Sequence, residues 1–574
     1  MAEAPVAPSR PWLFRALAVV AGVGAALAHP PWGVLPGLCG YALMFLVVDR
    51  AALGRPLRSA FFRGWLAGGA YFTISLWWLA EPFYIDAQEQ GWMAPFAVVI
   101  VALGMALFWG AAAWAYRLLG GRSVARVMLF AAALGGFEWL RGHILTGFPW
   151  DLPGESWRAG SAPSQAAAFV GAYGLTWLTV GAFTTLAVVL EGWRGRAALA
   201  VGMAVVLGLY GVGWVRLAGA IPPGPDAPWV RIVQADVKQE SKYDQSLFAS
   251  IVSRYLVLTA RPSAHPPDIV VWPEGAIPQA LDDYLAPGAL TREAIVGVMR
   301  PGETLLVGGY RYGHASDGRS VVYNSLWALR RTADDLAVIG VYDKFRLVPF
   351  GEFMPLDGLA SALGIKQFVH VGDGFAPGPK PRPMRLPGLA PVQPLICYES
   401  LFPGFTRDGA RAAGIRPTWI ANVSNDAWFG TGSGPVQHLN MASYRAIEEG
   451  LPMARATPTG RSAMIDAFGR IVPGKALGEG ALGVIDAPLP AALPPTLFDR
   501  LGDGAFFAML IVSLVGARGI SRRHGRGPPA PSHLRTDEVP RDQAPPGRPD
   551  LDTAAVDRHA GASVRPEDPG AGRA

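Results

Sequence analysis

Ile269-Val270-Val271-Trp272-Pro273-Glu274-Gly275 is the stretch on which the reading of the fold turns. Four apolar, mostly β-branched residues without polar alternation read as a strand buried on both faces, the pattern of a layered α/β domain. The carboxylate that follows sits where such folds commonly place catalytic groups, just past a strand end. Similar runs recur at 230–234, 305–309 and 418–423, with helix-length segments at 244–260 and 435–450 between several of them. A second strand-like run, Val392 to Ile396, ends in Cys397-Tyr398-Glu399. A third leads into Asn422-Val423-Ser424-Asn425-Asp426-Ala427-Trp428-Phe429-Gly430. Three polar clusters at three strand ends are expected to meet on one edge of a sheet.

Outside about 228–490 the texture changes. The 574 residues are 51% hydrophobic and 16% charged, and the mean hydropathy is +0.26. Soluble domains carry about 25% charged residues, so this deficit indicates a membrane protein with a soluble part. Runs long enough to cross roughly 30 Å of hydrocarbon are read at 12–28, 34–49, 62–80, 93–118, 124–141, 165–190, 198–218 and 502–518. The first two are short, and a single re-entrant hairpin about His29-Pro30-Pro31-Trp32 remains an alternative. Arg10 and Arg15 mark the start of the first run; Arg50, Arg55, Arg58 and Arg63 follow the second; Arg117, Arg122 and Arg126 the fourth; Arg194 and Arg196 the sixth. The connections after runs one and three hold neither Lys nor Arg. By the positive-inside rule the N-terminus is cytoplasmic, seven spans deliver the α/β domain to the outer face, and an eighth returns the chain to Arg518, Arg522, Arg523 and Arg526. The expected organisation is a seven-helix bundle over 1–220, an extracytoplasmic domain over 228–490, a last helix over 500–520 and a disordered cytoplasmic tail over 525–574.

The net charge of +6 is dispersed or flanks apolar runs, which is topology information and not a nucleic-acid surface. The nine His and two Cys show no metal-ligand spacing, and Gly308-Gly309 lacks the rest of any phosphate-binding motif. No cofactor is expected. Cys39, in an apolar run, reads as a small buried hydrophobe. That leaves Cys397 as a free thiol, and a nucleophilic thiol needs a base and an oxyanion donor. Glu274 suits the first role. Lys344 suits the second, in Tyr342-Asp343-Lys344-Phe345-Arg346-Leu347-Val348-Pro349-Phe350-Gly351-Glu352, which supplies a further carboxylate. Taken singly, each residue would more often be surface or core; their conjunction carries the reading.

Trp-Pro-Glu at 272–274, Lys-x-x-Leu-Val-Pro-Phe-Gly-Glu at 344–352, Cys-Tyr-Glu at 397–399 and Asn-Val-Ser-Asn-Asp-Ala-Trp-Phe-Gly at 422–430 together resemble the apolipoprotein N-acyltransferases, the membrane branch of the nitrilase superfamily. Gln437-His438, Arg455-Ala456-Thr457 and Thr146-Gly147-Phe148-Pro149-Trp150 extend the likeness over about 12–518. The resemblance implies an α-helical transmembrane bundle of about eight spans carrying an α/β, nitrilase-like αββα sandwich. It implies Glu274 as general base, Lys344 as oxyanion stabiliser and Cys397 as nucleophile, with Glu352, Tyr398, Glu399 and Asn324 in support. It further implies acyl transfer from a phospholipid, typically phosphatidylethanolamine, through a thioester to the α-amino group of a diacylated lipoprotein in the bacterial inner membrane. Tyr243 stands where the family usually has Trp and is carried as a substrate-contact position; Pro458 replaces a common Asn. The loop 351–376, with Phe353, Met354, Leu356, Leu359 and Phe368, is expected to form an apolar gate. A membrane-anchored amidase that gives the thioester to water would use the same triad. A transporter or receptor whose outer domain only binds should lack the ordered Glu, Lys and Cys.

Overall fold

The computed structural model describes residues 11–51, 55–120, 124–242, 244–315, 317–355 and 374–524, the last helix with side chains to 517. Tyr243, the gate positions Leu356, Leu359 and Phe368, and the tail 525–574 lie outside the described residues.

The apolar runs of the first 220 residues form helices α1 (Pro11–Leu27), α2 (Cys39–Asp49), α3 (Pro56–Ser75), α4 (Ala94–Leu119), α5 (Arg126–His143), α6 (Ala167–Thr184) and α7 (Gly192–Ala218). Small residues let them pack closely. A Cβ on Gly22 would strike the Ala67 carbonyl, and one on Gly68 would meet Ala106 and Trp109. Among the described residues, three helical stretches are long and apolar enough to cross a membrane: Ala87–Leu119, Pro163–Val188 and Gly192–Ala218. Pro11–Leu27, Leu35–Asp49 and Gly504–Ala517 are apolar but shorter. Helices α3 and α5 carry buried charge instead: Arg63 donates to the Val47 and Arg50 carbonyls, and Glu138 and Arg141 pair inside α5. Helix α7 presents Val201, Leu207, Val212, Trp214 and Val215 on its exterior, an apolar surface that lipid would cover. Cys39 is exposed, contrary to the buried position expected of it: at the first turn of α2 it faces outward while Gly40 and Tyr41 turn into the bundle.

The α/β domain holds two sheets. In the first, β1 (Trp229–Ala235), β2 (Ile269–Trp272) and β3 (Thr304–His314) run parallel. The antiparallel strand β11 (Leu482–Pro488) flanks β1, and β4 (Ser320–Arg331) and β5 (Leu336–Asp343) continue beyond β3, giving the order β11-β1-β2-β3-β4-β5. The second is β10-β9-β8-β7-β6, with β6 (Val392–Ile396), β7 (Trp419–Val423) and β8 (Met453–Ala456) parallel. Strands β9 (Ser462–Ile465) and β10 (Ile471–Leu477) complete it.

Val230, Ile232, Val271 and Leu306 from one sheet pack against Ile396, Ala421, Val423 and Ala454 from the other. On the far side of the first sheet, α8 (Phe248–Thr259) and α9 (Leu290–Val298) cover Val233, Val270 and Leu305. On the far side of the second, α10 (Phe405–Ala413) and α11 (Ser433–Glu449) cover Leu395 and Ile420. The result is helices, sheet, sheet, helices. The α11 layer is continuous with the bundle core: Met441, Tyr444 and Ile447 belong to one apolar cluster with Trp150, Trp157 and Leu175.

Candidate active site

Every described strand end singled out in the sequence delivers its residue to one place. Glu274 stands two residues beyond β2, Lys344 directly after β5, Cys397 directly after β6 and Ser424 directly after β7, while Asn324 lies on β4. The close approach of β3 to Glu274 requires glycine, because a Cβ on Gly308 would come within 2.7 Å of the Glu274 Cα.

Lys344 is 1% exposed, and its ammonium lies 2.9 Å from Glu352 Oε1 and 3.4 Å from Glu274 Oε1. Asn324 Nδ2 donates to the same two oxygens, at 2.6 Å to Glu274 and 2.8 Å to Glu352. The second Glu352 oxygen accepts the Val348 N–H at 2.8 Å, closing the loop between Lys344 and Glu352. Glu274 Oε2 is buried and, among the described residues, accepts no hydrogen bond. Burial by itself would lower the Lys344 pKa. The neighbouring carboxylates of Glu352 and Glu274 outweigh it and hold the ammonium charged above its ordinary range.

Cys397 opens a 3₁₀ turn with φ of 48°, a sparsely populated backbone for a side chain, of order 1–3 kcal/mol. Glu399 holds that turn. One of its oxygens accepts the Ile396 N–H at 2.9 Å; the other accepts the Phe345 N–H at 2.8 Å, the Arg346 N–H at 3.2 Å and the Tyr342 hydroxyl at 2.9 Å. One carboxylate thus locks the cysteine turn to the lysine loop. Its own pKa is pushed up to about 7, by burial above all, against the hydrogen bonds that favour the charged form. Burial, and next the Glu274 charge, push the Cys397 thiol up to about 12, with Lys344 and then the nearby Ser424 hydroxyl acting the other way. At rest the sulfur is protonated. Glu274 is the carboxylate whose charge acts most strongly on it, and one of its oxygens has no hydrogen-bond partner among the described residues.

Tyr398 turns away from the sheet and donates to the Gly147 carbonyl at 2.5 Å, and its ring faces Phe148 at 6.5 Å. Arg346 donates to the Thr146 carbonyl at 2.9 Å. Trp150 donates to Gln437 Oε1 at 3.1 Å and lies against Trp78 and His438. The connection between α5 and α6 therefore forms a wall behind the thiol turn.

A buried network lies behind Cys397, to which the sequence assigns no role; Ser424, Asp426, His438 and Arg455 fall within the quoted motifs, and Ser400 does not. His438 Nδ1 and Asp426 Oδ1 are 3.0 Å apart. His438 Nε2 lies 3.1 Å from Ser400 Oγ and 3.3 Å from the Cys397 carbonyl. Arg455 pairs with Asp426 at 2.9 Å, and Ser424 donates to Asp426 at 2.8 Å. Burial opposes the Asp426 charge, yet Arg455 and His438 hold its pKa well below the usual carboxylate range. Among the described residues, no group of three or more His, Cys, Asp or Glu side chains is arranged to hold a metal ion.

Two family models match the chain: the apolipoprotein N-acyltransferase N-terminal domain over residues 21–185 and the carbon-nitrogen hydrolase domain over residues 230–493. The apolipoprotein N-acyltransferase of Caulobacter vibrioides is 55% identical over 512 residues, covering 89% of this chain and 95% of that protein. Its namesake from Rhodopseudomonas palustris is 35% identical over 521 residues, covering 88% and 95%. That of Allorhizobium ampelinum is 37% identical over 524 residues, covering 89% and 96%. A solved N-terminal amidase aligns at 13% identity over 35% of this chain and 47% of its own, with a TM-score of 0.22, too slight a likeness to bear on the fold. A bundle and an α/β domain matched in one chain, at this identity and nearly full length, decide the family: this chain belongs to the apolipoprotein N-acyltransferases.

Proposed function

We propose that this enzyme moves a fatty acyl group from a membrane phospholipid, phosphatidylethanolamine being the expected donor, through a thioester on Cys397. The acceptor is the α-amino group of a diacylglyceryl-cysteine at a lipoprotein N-terminus. The observation that carries the reading is the Glu274 carboxylate. One oxygen is fixed by Asn324 and Lys344 and the other is buried and, among the described residues, without a partner, beside a thiol that is protonated at rest.

Glu274 Oε2 takes the Cys397 proton as the sulfur attacks the ester carbonyl carbon. The tetrahedral oxyanion is met by the Lys344 ammonium. Collapse breaks the acyl carbon–oxygen bond, and the departing glycerol oxygen takes the proton back from Glu274, leaving a lysophospholipid and the thioester. The lipoprotein amine then attacks the same carbon and gives its proton to Glu274. The carbon–sulfur bond breaks, the thiolate is reprotonated from Glu274, and an amide remains. A positioned base of this kind contributes about 10²–10⁴-fold, and an oxyanion donor about 10²–10³-fold. Glu352 and Asn324 hold Lys344 and Glu274 in place, Glu399 fixes the cysteine turn, and Tyr398 fastens that turn to the Gly147 carbonyl. Tyr243 is retained as an aromatic substrate contact.

We further infer eight spans in the inner membrane, with the bundle over 1–220, the catalytic domain over 228–490 on the periplasmic face, a last helix over 500–520 and both termini, including the tail 525–574, in the cytoplasm. The arginine asymmetry and the apolar exterior of α7 support this. Both substrates are anchored in lipid, so a site at the membrane surface meets them by lateral diffusion.

The test uses phosphatidylethanolamine with an isotopically labelled acyl chain and a synthetic diacylated lipopeptide. The expected result is label in a new amide, an equal amount of lysophospholipid, and parallel double-reciprocal lines when the two substrates are varied. Label recovered as free fatty acid with the lipopeptide untouched would instead make the enzyme a hydrolase.

A further inference from the structure

Two ammonium groups flank Glu274, and only one is accounted for by the chemistry above. Lys344 is held by the carboxylates of Glu352 and Glu274, with its third donor left for the oxyanion. Lys242, the last residue of the 3₁₀ turn Glu240–Lys242 that follows β1, is the other. A Cβ placed on Gly275, the residue after Glu274, would lie 3.3 Å from the Lys242 Nζ. That nitrogen is buried, and among the described residues it donates to no acceptor. Burial lowers its pKa to about 8, with the Glu274 charge opposing the shift. An ammonium carries three donors, and leaving them buried and unmet is unfavourable. Such a group is stabilised by whatever anion next enters the site.

The two substrates differ in what they can offer it. The acceptor's reacting group is an amine, cationic until it loses its proton, and an ammonium repels it. The acyl donor carries one permanent anion close to the scissile ester, a phosphodiester on the same glycerol unit. We propose that the Lys242 ammonium binds the phosphodiester of the acyl donor, setting the glycerol so that one ester carbonyl faces Cys397. Lys242 is then a donor-recognition residue for the first half-reaction. This rests on the phospholipid-donor reading given above.

The experiment compares two donors with identical acyl chains in the same mixed micelles, phosphatidylethanolamine and the phosphate-free diacylglycerol, using the full-length enzyme. The readout is the initial rate of acyl-adduct formation on Cys397 across donor concentration. The wild-type enzyme should prefer the phospholipid in kcat/KM. In K242M that preference should fall about 10- to 100-fold, the range for a lost charge-assisted hydrogen bond, mainly through KM. K242R keeps the charge and should retain most of the preference, which separates recognition from misfolding. An equal loss with both donors in K242M would overturn the proposal, placing Lys242 in support of Glu274 or of the fold. An unaltered preference would overturn it as well. Wild-type enzyme that acylates Cys397 from diacylglycerol but never from phosphatidylethanolamine would remove the donor reading itself, a result visible before any variant is made.

Discussion

The strong partner of Lys344 is Glu352: their charged atoms lie 2.9 Å apart, both in the protein interior. Glu274 stands further off, at 3.4 Å. This ordering assigns the neutralising role to Glu352 and leaves Glu274 with an oxygen that, among the described residues, no hydrogen bond occupies. Removing the cation strands two carboxylates that Asn324 holds together. K344M should therefore lose about 3–5 kcal/mol of stability, as broken buried pairs do, together with about 10²–10³-fold in rate. E352Q, which keeps a hydrogen-bond acceptor near Lys344, should lose less stability. Thermal unfolding in detergent beside acyl-transfer rates would check both.

The charges around Cys397 make a prediction of opposite signs. Glu274 pushes the thiol pKa up and Lys344 pulls it down. E274Q should abolish acyl transfer yet raise the thiolate fraction, so Cys397 should alkylate faster with iodoacetamide at pH 8. K344M should slow the same alkylation. Peptide-level mass spectrometry separates Cys397 from the exposed Cys39. Two shifts in one direction would refute this electrostatic description.

Glu399 gives a pH signature. Its pKa rises from 4.5 to about 7 on folding, so the folded state binds its proton more tightly than the unfolded chain does. That contribution to stability is full below about pH 4.5, is lost as the pH rises to about 7, and is flat above. E399Q cannot titrate. The unfolding temperature of the wild type relative to E399Q should therefore fall between pH 4.5 and 7 and then stay level. A constant difference across that range would mean that Glu399 is not the group titrating.

Tyr398 ties the turn that carries the thiol to the connection after α5. Y398F leaves the buried Gly147 carbonyl without its donor, a loss of about 1–3 kcal/mol. Chemical unfolding of wild type and Y398F in detergent checks it, and an unchanged stability would mean that the contact contributes nothing.

Much of this site was legible because its residues sit at strand ends, and strand ends follow from short β-branched runs. Ile269–Trp272 predicts both β2 and the place of Glu274; Val392–Ile396 does the same for Cys397. What the sequence hides is lateral pairing. Asp426, His438 and Arg455 are spread over thirty positions and meet only because β7, β8 and α11 are neighbours. The buried ammonium of Lys242, without an acceptor among the described residues, is invisible for the same reason, since a lysine in a turn ordinarily points to water. Cys39 shows the converse limit. An apolar run fixes that a helix forms, but with apolar residues all round, the run does not say which side faces the bundle.

The most direct test of the thioester account is intact-protein mass spectrometry of the purified enzyme after incubation with phosphatidylethanolamine. One fatty-acyl adduct should appear on Cys397, be absent from C397A and E274Q, persist in buffer, and disappear on addition of diacylated lipopeptide with N-acyl lipopeptide formed in equal amount. An adduct at another residue, or N-acyl lipopeptide produced by C397A, would contradict it.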